Sequence, residues 1–116
     1  RVLITEKLQN LLATHLVSLV NNGKVGLGGN STFSSQTDLD VPLVATATAT
    51  ATQSDANVVQ IKLTVSGATA AMTGQVLREV GVFDSSSNML FRENFDGIGP
   101  FSSNDTIEFF IFLEVE

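Results

Sequence analysis

The sequence predicts a mainly β domain of the α+β class, with one N-terminal helix and about five antiparallel strands forming a small sandwich or sheet. Three observations predict it. Near the N-terminus apolar residues recur at three- and four-residue spacing, the signature of one helix face. From Val41 onward the chain alternates with period two, as half-buried strands do. Short polar segments rich in Ser, Asn, Asp and Gly separate the alternating runs, as hairpin turns do. With 116 residues, 43% of them hydrophobic and 16% charged, the chain suits a single domain over 1–116 and is too apolar for disorder.

The helix is expected over 5–22. Thr5 offers an N-cap hydroxyl, and Glu6 places negative charge in the first turn, where the helix dipole favours it. Leu8, Leu11, Leu12, Leu16, Leu19 and Val20 form its apolar stripe. The "NNG" of Asn21 to Gly23 supplies residues tolerant of the left-handed conformation for the C-terminal stop. His15 falls on the same face as Leu8, Leu12 and Leu19. It is the only histidine, and it reads as a packed rim residue with no partner for catalysis or metal binding.

The segment "KVGLGGNSTFSSQTDLDVP" has the composition of a loop. Its "GLGGNS" fails the dinucleotide pattern, because Ser31 stands where the third glycine belongs, and it lacks the Lys-Ser/Thr ending of a phosphate loop. Asp38 and Asp40 read as solvated loop carboxylates in preference to calcium ligands. Asn30 and Asn104 fit the glycosylation acceptor pattern, which matters only in a secretory pathway.

Strands are expected across 41–116. The run "ATATATAT" from Ala45 to Thr52 continues the alternation of Val41 and Leu43, alanines on one face and threonines on the other. After the polar "QSDAN", "VVQIKLTVSG" places Val59, Ile61, Leu63 and Val65 on one face. A loop of Ser54 to Ala56 would set Ala51 against Val59, Ala49 against Ile61 and Ala47 against Leu63. The alanines then make room for large neighbours or for the helix, and the threonines supply β-propensity on the outer face. One threonine row is too narrow for an ice-binding template. "LREVGVFD" and "MLFRENF" form a second hairpin through "SSSN". The last strand, "TIEFFIFLEVE", puts Ile107, Phe109, Ile111, Leu113 and Val115 toward the core. Its other face carries Phe110 and Phe112, which need a cover, since a buried Phe gains about 1.5–3 kcal/mol over an exposed one.

Composition also excludes function classes. The net charge is −6, and the six basic residues are scattered singly, so the chain is not expected to bind nucleic acid. The longest apolar tract, Leu16 to Val20, is far short of a membrane span, and no basic region precedes it as in a signal peptide. Cysteine is absent, which removes disulfides and thiolate chemistry. Without a convincing base for nucleophilic catalysis the chain does not read as an enzyme, and no metal or other cofactor is expected. Glu79, Glu93 and Asp84 are the carboxylates whose convergence would argue otherwise.

The order of pieces resembles a known family. "LITEKLQNLL", "VGLGGNSTFSSQTDLDVPL", a hairpin, "LREVGVFDSSSNMLFRENF" and a closing strand follow the layout of the tail-fibre N-terminal and baseplate-attachment domains of tailed bacteriophages. Ile4-Thr5, Gly26-Leu27-Gly28 and Arg78-Glu79-Val80-Gly81-Val82-Phe83-Asp84 occupy the family's motif positions. Glu6-Lys7-Leu8 stand where the family has a glycine after the opening Ile-Thr. The resemblance implies a virion structural protein of the tail or baseplate, a fibre-attachment adaptor in several symmetric copies that docks on other virion proteins. Alternatives are a capsid decoration or head-fibre protein, or a free-standing carbohydrate-binding β-sandwich. The absence of Trp and Tyr disfavours the last. Phe110, Phe112, Arg78 and Glu79 are the expected subunit-interface residues. Arg78 and Glu79 are adjacent, point to opposite faces and must find partners elsewhere.

Overall fold

The computed structural model describes residues 2–68 and 72–116, with the side chains of 44–46, Ala45 among them, outside the described set. One helix, α1 (Glu6–Leu19), precedes six strands: β1 (Asn22–Gly26), β2 (Pro42–Asp55), β3 (Val58–Ser66), β4 (Leu77–Phe83), β5 (Met89–Ile98) and β6 (Thr106–Glu114). All pairings are antiparallel, in the order β5-β4-β1-β2-β3-β6. The sheet curls until its two edges approach: the rings of Phe95 on β5 and Phe109 on β6 lie 5.4 Å apart. The fold class is therefore mainly β with a small α+β arrangement, built as one curled sheet.

Thr5 caps α1 as expected, accepting a hydrogen bond from the Leu8 N–H at 3.2 Å. Thr5→Ala is expected to cost about 1 kcal/mol in a urea melt; unchanged stability would mean the cap contributes nothing. The C-terminal stop differs from the sequence reading. Val20 is already extended, Asn21 N–H bonds to the Phe83 carbonyl at 3.0 Å, and Asn22–Gly26 runs as β1 between β2 and β4. Ladder bonds to strands on both sides override the turn chemistry of "NNG". The sixth strand was hidden because Asn and Gly have low β-propensity and five residues carry no readable period.

The helix is also rotated relative to the expected stripe. Ala13 is fully buried, and Leu16, Val17 and Val20 pack beside it against β2 and β3. Leu8, Leu11 and Leu12 are exposed, as is His15, which is not the packed rim residue expected. The polar edge of the helix sets this angle: Asn10 Nδ2 donates to the Ala56 carbonyl and Thr14 Oγ1 to Gln53 Oε1, tying α1 to the β2–β3 hairpin end. A small residue at position 13 then meets the alanine face of β2 at close range.

The opening alternation is β2, with Ala47 buried, Ala49 and Ala51 against the core, and Thr48, Thr50 and Thr52 exposed. The register is two residues from the expected one: Ala51 faces Ile61, Ala49 faces Leu63 and Gln53 faces Val59. The strands run on to a two-residue turn at Ala56-Asn57, the favoured hairpin length, with a bulge at Asp55 absorbing the extra residue. A shift of two keeps each side chain on its face. Ala47 lies opposite Gly23 of β1 instead of Leu63. At the β4–β5 turn, Asp84 accepts from the Asn88 side chain and from the Asn88 and Ser86 N–H groups, and these bonds hold its carboxyl below the usual range.

Candidate functional site

The chemical centre of the fold is Glu79 on β4, the only charged residue among those described that is buried whole, backbone and side chain together. A buried carboxylate is tolerable only if paired and fully hydrogen-bonded, and here four donors meet it. Oε1 takes Arg92 Nε of β5 at 2.9 Å and the Asp40 N–H at 2.7 Å. Oε2 takes the Val41 N–H at 2.7 Å and the Gly28 N–H at 2.8 Å. Burial alone would push this carboxyl up. The Val41 N–H, the Arg92 guanidinium and the N–H groups of Asp40 and Gly28 together outweigh that and hold it below the ordinary glutamate value. Arg92 reaches further, with Nη1 donating to the Asn30 carbonyl at 2.9 Å.

The loop between β1 and β2 is thus stapled across the outer face of β1 and β4, and the sequence explains how it fits. A Cβ on Gly26 would stand 2.5 Å from Glu79 Oε2, and one on Gly28 would stand 2.7 Å from the same atom. Both positions need bare backbone for the carboxylate to enter. Gly81 faces Arg92 across the β4–β5 ladder, and its missing side chain leaves space for Leu39, whose Cδ2 would be 2.8 Å from any Cβ there. Lys24 lies 4.6 Å over the Phe83 ring and 3.4 Å from Asp38, a partly exposed pair of small energetic weight. The "GLGG" run therefore does cradle an anion, and that anion is the chain's own Glu79.

The four residues expected at a subunit interface fall in three places. Glu79 is corrected outright: its partner is Arg92 of the same chain and it has no surface to offer. Arg78 is exposed beside the loop between β1 and β2, its Cδ 3.7 Å from where a Cβ on Gly29 would stand. Phe110 and Phe112 stand side by side on the outer face of β6, 52% and 62% exposed, beside Lys62 and Gln60 of β3. They lie four strands from β4 in the sheet order. Reading the sequence did not single out Arg92. Its signal was faint: an Arg in the strand hairpin-paired to that of Glu79, directly opposite Gly81.

Part of the expected apolar stripe of α1 is open surface: Leu8, Leu11 and Leu12 are 43–52% exposed, and Ile4, Leu3 and Val2 before the helix are exposed beside them in sequence. A cleft of about 340 Å³ lies between the loop and the start of β5, lined by Phe33, Gln36, Met89, Leu90 and Phe91 and floored by Arg92. The guanidinium there is already engaged by Glu79. The three carboxylates weighed for hydrolytic chemistry are separated: Glu79 is sealed, Asp84 caps a turn, and Glu93 is exposed opposite Val80, on the other face of the sheet from Glu79. Asp38 and Asp40 turn to different partners, Lys24 and Asn30. Among the described residues no three His, Cys, Asp or Glu side chains converge, and no helix is long and apolar enough to cross a membrane.

Neither a protein-family model, nor a curated protein, nor a solved structure matches this chain.

Proposed function

We propose that this chain is a structural protein of a tailed-phage virion, an adaptor of the tail or baseplate through which a fibre is attached. One observation carries the reading: the apolar surface left open on a well-fastened scaffold. Phe110 and Phe112 on β6, and Leu8, Leu11 and Leu12 along α1 with Ile4 just before it, are large apolar side chains exposed in two groups. Exposed apolar patches of this kind mark protein–protein contact sites. The segment carrying the strongest family resemblance, Arg78 to Asp84, is β4 with its turn residue, and its Glu79 locks the long loop in place. A latch of that kind suits a rigid connector that must hold shape under load. Arg78 and the apolar groups are the surfaces offered to other virion proteins.

The reading is tested on particles. An antibody against this chain, viewed by electron microscopy on purified virus, is expected to label the tail tip or fibre bases. Label over the capsid would replace the adaptor by a decoration protein. Absence of label, with the chain also missing from the particle's mass spectrum, would refute the virion assignment.

A further inference from the structure

We propose that two copies of this chain pair antiparallel through the free edges of their β6 strands, joining two six-stranded sheets into one. The inference deepens the assembly reading by naming a second copy as one partner.

The two edges of the sheet are treated differently. β5 has register shifts at two places along β4, and the loop bonds onto it through Arg92 Nη1 to the Asn30 carbonyl and Asn94 Nδ2 to the Gly29 carbonyl. Bulges and covering loops are how proteins guard a strand edge. β6 has neither. It pairs with β3 over nine consecutive residues without a shift, and no described strand takes its other side. Its sequence, "TIEFFIFLE", contains no Lys, Pro or Gly to blunt pairing. A long, regular, apolar edge is a template for another strand.

What fits that edge best is the same strand turned around. An antiparallel two-fold pair is isologous, so every contact is made twice. Charge selects its register. An axis at Ile111 would set Glu108 against Glu114 of the other copy, and like charges directly opposite are unfavourable. An axis at Phe112 would bring Glu108 opposite Glu116, just past the end of β6, whereas an axis at Phe110 sets no carboxylate against another. With the axis at Phe110, the midpoint of β6, Phe110 meets its own copy, Phe112 meets Glu108, and Ile111 meets Phe109 on the inner side. The outer Phe side chains then cluster across the junction.

The chain is also less compact than a typical monomer: a folded monomer of 12.3 kDa exposes about 6,100 Å², and this chain exposes 6845 Å². The radius of gyration is 15.3 Å, against about 13 Å for a compact chain of this length.

Sedimentation at tens of micromolar should give twice the 12.3 kDa monomer mass. Because the chain has no cysteine, single-cysteine variants report the contact directly. Phe110→Cys should oxidise to a disulfide-linked dimer, while Phe112→Cys, about 14 Å from its counterpart in this register, and Leu11→Cys on α1 should stay unlinked. Phe112→Lys should sediment as a monomer with an unchanged melting temperature; if it unfolds instead, the cysteine pair still decides. A monomeric wild type overturns the pairing, and so does a dimer linked through Leu11→Cys with the Phe110→Cys variant left unlinked. Both outcomes leave the adaptor reading standing, since that is decided on particles.

Discussion

Glu79→Ala is expected to destabilise the domain by about 3–5 kcal/mol, the cost of breaking a buried ion pair by removing one partner. The loss has two parts. Arg92, whose side chain is 2% exposed, is left charged without its carboxylate, and the N–H groups of Gly28, Asp40 and Val41 lose their acceptor at once. Urea melts at neutral pH measure the total. A double-mutant cycle with Arg92→Ala isolates the pair, and strong coupling is expected because the two side chains share one hydrogen-bond network. A loss below about 1 kcal/mol would show that the loop docks without the latch. Glu79→Gln should also be costly, because its amide nitrogen must face either two backbone donors or a backbone donor and the guanidinium.

The same residue fixes an acid limb in the stability profile. Its carboxyl is held below the ordinary value near 4.5 in the folded chain, so the folded state binds the proton less readily than the unfolded chain. Its stabilising contribution is therefore complete above that ordinary value and falls away as pH drops through the folded-state value. The wild type should lose stability across that acid range, and Glu79→Gln should lose less there. Parallel profiles for the two proteins would place the acid sensitivity elsewhere.

Where the sequence was legible, a long local pattern did the talking. The fourteen-residue β2 and the nine-residue β3 and β6 alternate over enough positions to define their faces, and Thr5 is a cap by chemistry alone. β1 was illegible because its five residues become a strand only through partners on both sides. The orientation of α1 was misread for a related reason. Leucines lie on both candidate faces, and the choice is made by Asn10 and Thr14 binding the hairpin end, a contact 39 to 46 residues away in sequence. The latch was half visible: Glu79 was singled out, but three of its four partners are backbone N–H groups, which carry no residue-type signal. The glycines at 26 and 28 are the trace that the buried carboxylate leaves in the sequence.

Gly23→Val tests the point at which the illegible strand supports that latch. Gly23 lies between Ala47 of β2 and Val82 of β4, and a Cβ there would collide with Leu63 Cδ2 and stand 3.2 Å from the Gly81 carbonyl oxygen. Leu63 is fully buried, so it has no open space to rotate into. A cost near the upper end of the overpacking range, about 3 kcal/mol, is expected, with the added β-propensity of valine offsetting only part of it. Ala49→Val, on the half-buried stretch of β2 beyond the end of β1, should cost distinctly less. β1 also leads directly into Gly26 and Gly28, so displacing it moves the backbone that receives Glu79. Gly23→Val should therefore flatten the acid limb of the stability profile as Glu79→Gln does, whereas Ala49→Val should leave that limb intact. Loss of stability in Gly23→Val with a wild-type acid limb would mean that the core and the latch are separate devices; a shared change would make β1 the link between them.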